Sequence, residues 1–66
     1  MIYSLIIRNN IVINKTIGNE LLTTYPFPYD LIIQDVNENV LIDSTYNPVN
    51  GTFTLIGAPY NNENGN

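Results

Sequence analysis

The chain has no cysteine, no histidine and no tryptophan, and its only basic residues are Arg8 and Lys15. Without cysteine there is no disulfide framework, and without cysteine or histidine the usual tetrahedral zinc sites have no ligands. The absence of histidine also leaves Ser4 and Ser44 with no base to activate them, and neither sits at a strand-to-helix elbow. Two cations against six carboxylates give a formal charge of -4. That is the wrong footprint for nucleic acid or for an anionic membrane surface, so neither is expected as a partner. The longest apolar runs, such as Leu5-Ile6-Ile7 and Leu31-Ile32-Ile33, are far too short to span a bilayer. The opening stretch Met1–Ile7 lacks the basic start and small-residue cleavage site of a secretory leader, so synthesis and retention in the cytosol are expected. No glycine-rich loop is present to cradle phosphate. Asp30, Asp35 and Asp43 could meet as paired carboxylates, but a sheet this small is expected to leave no room for a pocket of several hundred Å³, the usual scale of a substrate site. Lys15 is expected to be a solvated or edge-guarding strand residue rather than a base. Neither enzymatic activity nor a cofactor or metal follows from these residues.

A chain of 66 residues buries only about 60% of the surface its unfolded form exposes, so its core is marginal. Small domains compensate with disulfides, a metal or association, and only association remains here. What the sequence does have is isoleucine, asparagine, threonine and tyrosine. Isoleucine favours strands through its stiffness at χ1, and asparagine solvates a surface without charge. The expected fold is all-β: a small antiparallel sheet of about five short strands, two hairpins plus a linking strand, assembled with other chains. Residues 1–59 form the single β module, and residues 60–66, a polar run, form a C-terminal tail.

The segment IYSLIIRNNIVINKTI predicts the first hairpin, with Asn9-Asn10 as a two-residue turn, because asparagine tolerates the positive φ that a type I′ turn demands. A regular register from that turn sets Ile7 opposite Val12, Ile6 opposite Ile13 and Leu5 opposite Asn14. One face then carries Ile2, Ser4, Ile6, Ile11, Ile13 and Ile17, and the other Tyr3, Leu5, Ile7 and Val12. Both faces are apolar, where a free-standing hairpin sheet has one wet face, and two-sided burial exceeds what so short a chain easily supplies. This is a second argument for a partner.

Beyond Gly18, residues 20–24 suit a helical turn, and Tyr25-Pro-Phe-Pro-Tyr29 must be extended, since each proline restricts its predecessor. That segment is expected to cross one end of the sheet and plug it with Phe27. The functional alternative is an aromatic sugar-stacking surface or a proline-rich ligand. Tyr29, Leu31 and Ile33 alternate with Asp30, Ile32 and Gln34 in a third strand. Asp35–Asn39 turns, Val40–Tyr46 makes a fourth strand and Thr52–Ile56 a fifth. Between the last two, Asn47 can bond back to its own backbone, Pro48 suits the first corner of a turn and Gly51 takes positive φ. Asp35-Val-Asn37-Glu-Asn39 resembles the start of a calcium loop, but Val40 stands at the glycine position and Tyr46 at the bidentate glutamate, so a polar turn is the better reading. The glycosylation patterns Asn14-Lys15-Thr16 and Asn50-Gly51-Thr52 are attributed to chance in an asparagine-rich chain.

The succession YSLIIRNNIVINKTI, YDLIIQD, STYNPVNGTFT and a following AP resembles small bacteriophage proteins and tail-fibre terminal domains. These typically show a strand, an Asn-Gly-type turn and a "VVN" strand, and close on a W-x-Y-D-x-x-x-G-x-F hairpin followed by proline. Asn9, Asn10, Val12 and Asn14 match the first part, and Tyr46, Asn47, Gly51, Phe53 and Pro59 the last. Ser44 or Thr45 stands where the group has tryptophan, so Phe27 or Tyr46 must fill that space. The resemblance implies a non-enzymatic structural part of the virion, made in the host cytoplasm, present in several copies or as a homo-oligomer, and placed at the tail, baseplate or tail fibre. Its expected partners are other virion proteins. A capsid decoration (cement) protein is the alternative within that class, and a small phage inhibitor of a host or defence protein lies outside it. A host glycan at Tyr25, Phe27 and Tyr29 is a further reading. The residues expected at subunit contacts are Tyr3, Leu5, Ile7, Tyr25, Phe27, Tyr29, Tyr46 and Phe53.

Overall fold

In a computed structural model, which describes residues 1–57, the first hairpin forms where the two asparagines direct it. Asn9 and Asn10 have φ of 55° and 62°, both in the left-handed region that a type I′ turn requires. They join β1 (Ile2–Arg8) to β2 (Ile11–Gly18). The pairing starts in the expected register, Arg8 opposite Ile11 and Ile7 opposite Val12, then shifts between Ile7 and Ile6. Ile6 faces Asn14 instead of Ile13, and Leu5 faces Lys15 instead of Asn14. Ile13 is thus the extra residue of a β-bulge. Because side chains alternate along a strand, one extra residue moves every later side chain of β2 to the opposite face. Lys15 and Ile17 therefore join Leu5 and Tyr3, while Asn14 and Thr16 join Ile6 and Ser4.

A third strand, β3 (Leu31–Gln34), pairs antiparallel with β1, giving the order β2-β1-β3. It begins two residues later than Tyr29, because Asp30 turns its carboxylate to the backbone N–H of Asn9, 2.7 Å away. The predicted fourth strand is broken. Val40 makes only a bridge to Ile56, a turn follows, and Asp43 adopts φ 78° before the chain extends again. Residues 43–46 run along the start of β2: Ser44 O accepts from Val12 N–H, and Asp43 N–H and Tyr46 N–H donate to Val12 O and Asn10 O. Then β4 (Tyr46–Asn47) and β5 (Thr52–Phe53) form a second, two-stranded sheet. In its loop, Asn47 Oδ1 accepts from Val49 N–H and Gly51 has φ 72°, as the turn residues predict. The described residues contain no helix, and residues 20–24 are irregular. Residues 58–66, with Pro59 and the polar tail, lie outside the described residues.

The core is Leu5, Ile7, Val12 and Val40, with Leu31, Ile33, Tyr46 and Phe53 packed against it. Tyr46 and Phe53 lie 5.1 Å apart between ring centroids, both against the core. The opposite face of β1, with Ser4 and Ile6, is buried too. The residues after β2 lie against it: Leu22 N–H donates to Ser4 Oγ and Asn14 Nδ2 to the Tyr25 hydroxyl. Two-sided burial of the central strand, expected to need a second chain, is thus supplied by this one. Phe27 does not plug the sheet; it is 65% exposed. The intervening prolines set it on the outside of the extended segment, while Tyr25 and Tyr29 turn inward.

Ser44 is fully buried, and its Oγ accepts from the N–H groups of both Thr54 and Leu55. Ser44→Ala leaves the Leu55 N–H without this acceptor and takes one of two acceptors from the Thr54 N–H, which also donates to Thr45 O. The expected loss is about 1–3 kcal/mol, read as a lower urea midpoint with an unchanged m-value.

Candidate functional site

The most charged interior feature is built by the bulge. With Lys15 moved to the Leu5 face, its Nζ lies 2.9 Å from Asp35 Oδ2 and 2.8 Å from the Val40 carbonyl, and 5.0 Å from the Tyr3 ring centroid. The Asp35 side chain is 2% exposed and that of Lys15 18%. The same carboxylate oxygen accepts from Val40 N–H, and Asp35 N–H donates to Tyr3 O. Asp35 therefore closes the 35–40 turn on itself while Lys15 ties that turn to β2. Lys15 is neither solvated nor at work on the edge, as its strand position suggested, because Asp35 and Val40 O hold all of its reach. Among the described residues no other ion pair is present, and no three acidic, histidine or cysteine side chains converge as a metal group. Asp35 has no spare geometry for general acid–base work, since its near oxygen already serves a cation and a backbone donor.

On the surface, a depression of about 430 Å³ lies between the 35–39 turn and the second sheet. A space of this size was not expected in so small a fold. Val36, Val40, Phe53 and Ile56 give it an apolar floor, and Gln34, Asn37, Asn39 and Thr52 a neutral polar rim. Its only titratable lining group is Asp35, held by Lys15. Such a lining can bind through shape, apolar contact and neutral hydrogen bonds, but it carries no nucleophile–base pair.

The free edge of β3 runs toward this depression. The bond from Asp35 N–H to Tyr3 O fixes the phase of the β1–β3 ladder. Its hydrogen-bonded pairs are Leu5 with Ile33 and Ile7 with Leu31, so the N–H and C=O groups of Ile32 and Gln34 point outward. No partner for them is present among the described residues. The outer edge of β2 is different. Residues 43–46 cover its start, and farther on Asn14 Oδ1 accepts the Lys15 N–H at 2.8 Å.

The eight residues expected at subunit contacts divide by place. Leu5 and Ile7 are fully buried and belong to the chain's own core, because the linker and the second sheet enclose β1. Tyr3, Tyr46 and Phe53 are half-buried against that core or over Lys15. Tyr25, Phe27 and Tyr29 come together edge-to-face, Tyr25 lying 5.5 Å from Phe27 and 6.3 Å from Tyr29, but only Phe27 is largely exposed. Sequence reasoning passed over Asp35 as a partner of Lys15, the Ser44 hydroxyl as an acceptor, and Val36 and Ile56 beside the depression. The one signal for the first was the scarcity of cations, which makes any acid paired with Lys15 notable.

No family model matches the chain, and comparison with curated proteins and with solved structures finds no similar protein.

Removing Lys15 strands a buried carboxylate. Lys15→Met is expected to cost about 3–5 kcal/mol, enough to abolish a cooperative thermal transition in a domain of this size. Adding Asp35→Asn to that variant removes the stranded charge and keeps an acceptor for Val40 N–H, so at least about half of the loss should return. Chemical denaturation of the single and double variants measures both.

Proposed function

We propose that this protein is a non-enzymatic structural component of a bacteriophage particle, placed at the tail, baseplate or fibre and acting through contacts with other subunits. The observation that carries the assembly reading is the balance of apolar side chains. Among the described residues, Leu5, Ile6, Ile7, Val12 and Val40 are the buried apolar side chains, while twelve large apolar side chains, from Met1 to Ile56, are exposed. Scattered exposed apolar residues are ordinary. Here, however, they outnumber the interior, and two of them, Val36 and Ile56, line the depression. Burying such side chains against a neighbour stabilises by about 1.5–3 kcal/mol each when complete, comparable to the worth of the core itself.

The placement on a phage rests on the short hairpin motifs at Asn9-Asn10 and Tyr46–Phe53. Their turns have the backbone conformations the motifs imply, with positive φ at Asn9, Asn10 and Gly51. A particle subunit also needs no reacting group, which suits a surface whose buried ion pair and serines are all engaged in holding the fold.

Quantitative mass spectrometry of purified particles of the virus that carries this gene should find the chain at a fixed ratio to the tail proteins. Its absence from particles, together with a strictly monomeric recombinant protein in sedimentation velocity, would overturn the reading and favour the inhibitor alternative.

A further inference from the structure

The two edges of the main sheet are treated oppositely. On β2 a bulge, the crossing of residues 43–46 and the Asn14 side chain prevent another strand from adding. Among the described residues none of these devices is present on β3: Ile32 and Gln34 direct N–H and C=O groups outward with no partner there, and the edge leads to the depression floored by Val36, Val40, Phe53 and Ile56. A strand added at an edge gains affinity from main-chain hydrogen bonds and specificity from pockets that receive alternate side chains. Both requirements meet here.

The charge selects the occupant. Asp30 precedes β3 and Glu38 stands exposed in the turn beyond it, while Lys15 is already paired with Asp35. Arg8, at the hairpin near Asp30, offsets one of the two carboxylates. A second copy of this chain would bring its own charge of -4 to the contact, and like charges across an interface disfavour pairing. We propose that the outer edge of β3 and the adjoining depression form a strand-addition site for an extended, basic segment of a different protein, which seats one apolar side chain in the depression. This rests on the assembly reading and names the chemistry of the contact.

The probe is an acetylated and amidated seven-residue peptide alternating lysine and valine, added to the ¹⁵N-labelled full chain. Saturation should slow hydrogen exchange at the Ile32 and Gln34 amides by about tenfold or more and shift the amides of Val36, Phe53 and Ile56. A matched glutamate–valine peptide should bind at least about tenfold more weakly. Gln34→Pro removes one outward N–H and no bond within the sheet, and should abolish binding while thermal stability is retained. If that variant does not fold, a lysine–valine peptide methylated on alternate backbone nitrogens replaces it, and it should fail to bind the unaltered protein. The proposal is overturned if the peptide does not bind, if binding ignores these changes, or if the shifts lie elsewhere. It is also overturned if Ile32 and Gln34 are already protected without peptide. Concentration dependence of that protection would then identify a second copy as the occupant, and independence would identify the chain itself. Loss of the peptide site with particle incorporation intact would remove this assignment alone; absence from particles with binding intact would remove only the assembly reading.

Discussion

The arrangement of the fold turns on one contact, the ion pair between Lys15 and Asp35, because it adds a direct polar tie between β2 and the turn after β3, which otherwise meet through β1 and the packing of Val12 and Val40. Lys15 comes from β2, the Tyr3 ring beneath it from β1, and Asp35 and Val40 from the turn after β3. A buried pair of this kind adds little net stability over an apolar substitute, since desolvation cancels much of the attraction. Its effect is on which arrangement forms. If Lys15 pointed to the other face, Asp35 would be a buried charge without a cation, and the 35–40 turn would lose its side-chain tie to β2 while keeping the Asp35 N–H bond to Tyr3 O.

The bulge at Ile13 makes that contact reachable. A regular hairpin would place Lys15 opposite Ser4, beneath the 19–29 segment, and Asn14 opposite Leu5 in the apolar core. The extra residue exchanges the two sides. Lys15 then meets Asp35, and Asn14 meets the Tyr25 hydroxyl. One local irregularity thus satisfies two polar side chains on opposite faces of the sheet, and it leaves Ile13 partly exposed as its cost. The same bulge spoils the outer edge of β2 for further pairing.

Enclosing β1 on both faces uses up the chain. The linker after β2 covers one side and the second sheet covers the other, so among the described residues little is left for the outer surfaces. Exposed apolar side chains and an uncapped β3 edge are the consequence of spending a short polypeptide on a central strand. A protein arranged this way gains more from neighbours than a larger domain would, which agrees with the proposed role as an assembly subunit. The depression has a neutral amide-rich rim, and Ser44 and Asp35 are engaged in holding the fold.

The strand composition, the Asn9-Asn10 turn, the loop from Asn47 to Gly51 and the all-β class were legible in the residues, because each follows from the φ preferences and χ1 stiffness of a few adjacent side chains. The lengths of the last strands, the exposed Phe27 and the depression were not. Val40–Tyr46 has the composition of one strand, yet Asp43 turns left-handed where its N–H and the carbonyl of Ser44 bond Val12, distant in sequence. The placement of Lys15 was hidden for the same reason. Sequence determines what each short segment prefers; which face a side chain takes beyond a bulge, and which acid meets the lone buried cation, was decided only when distant segments packed, since the desolvation that drives those choices does not exist until they do.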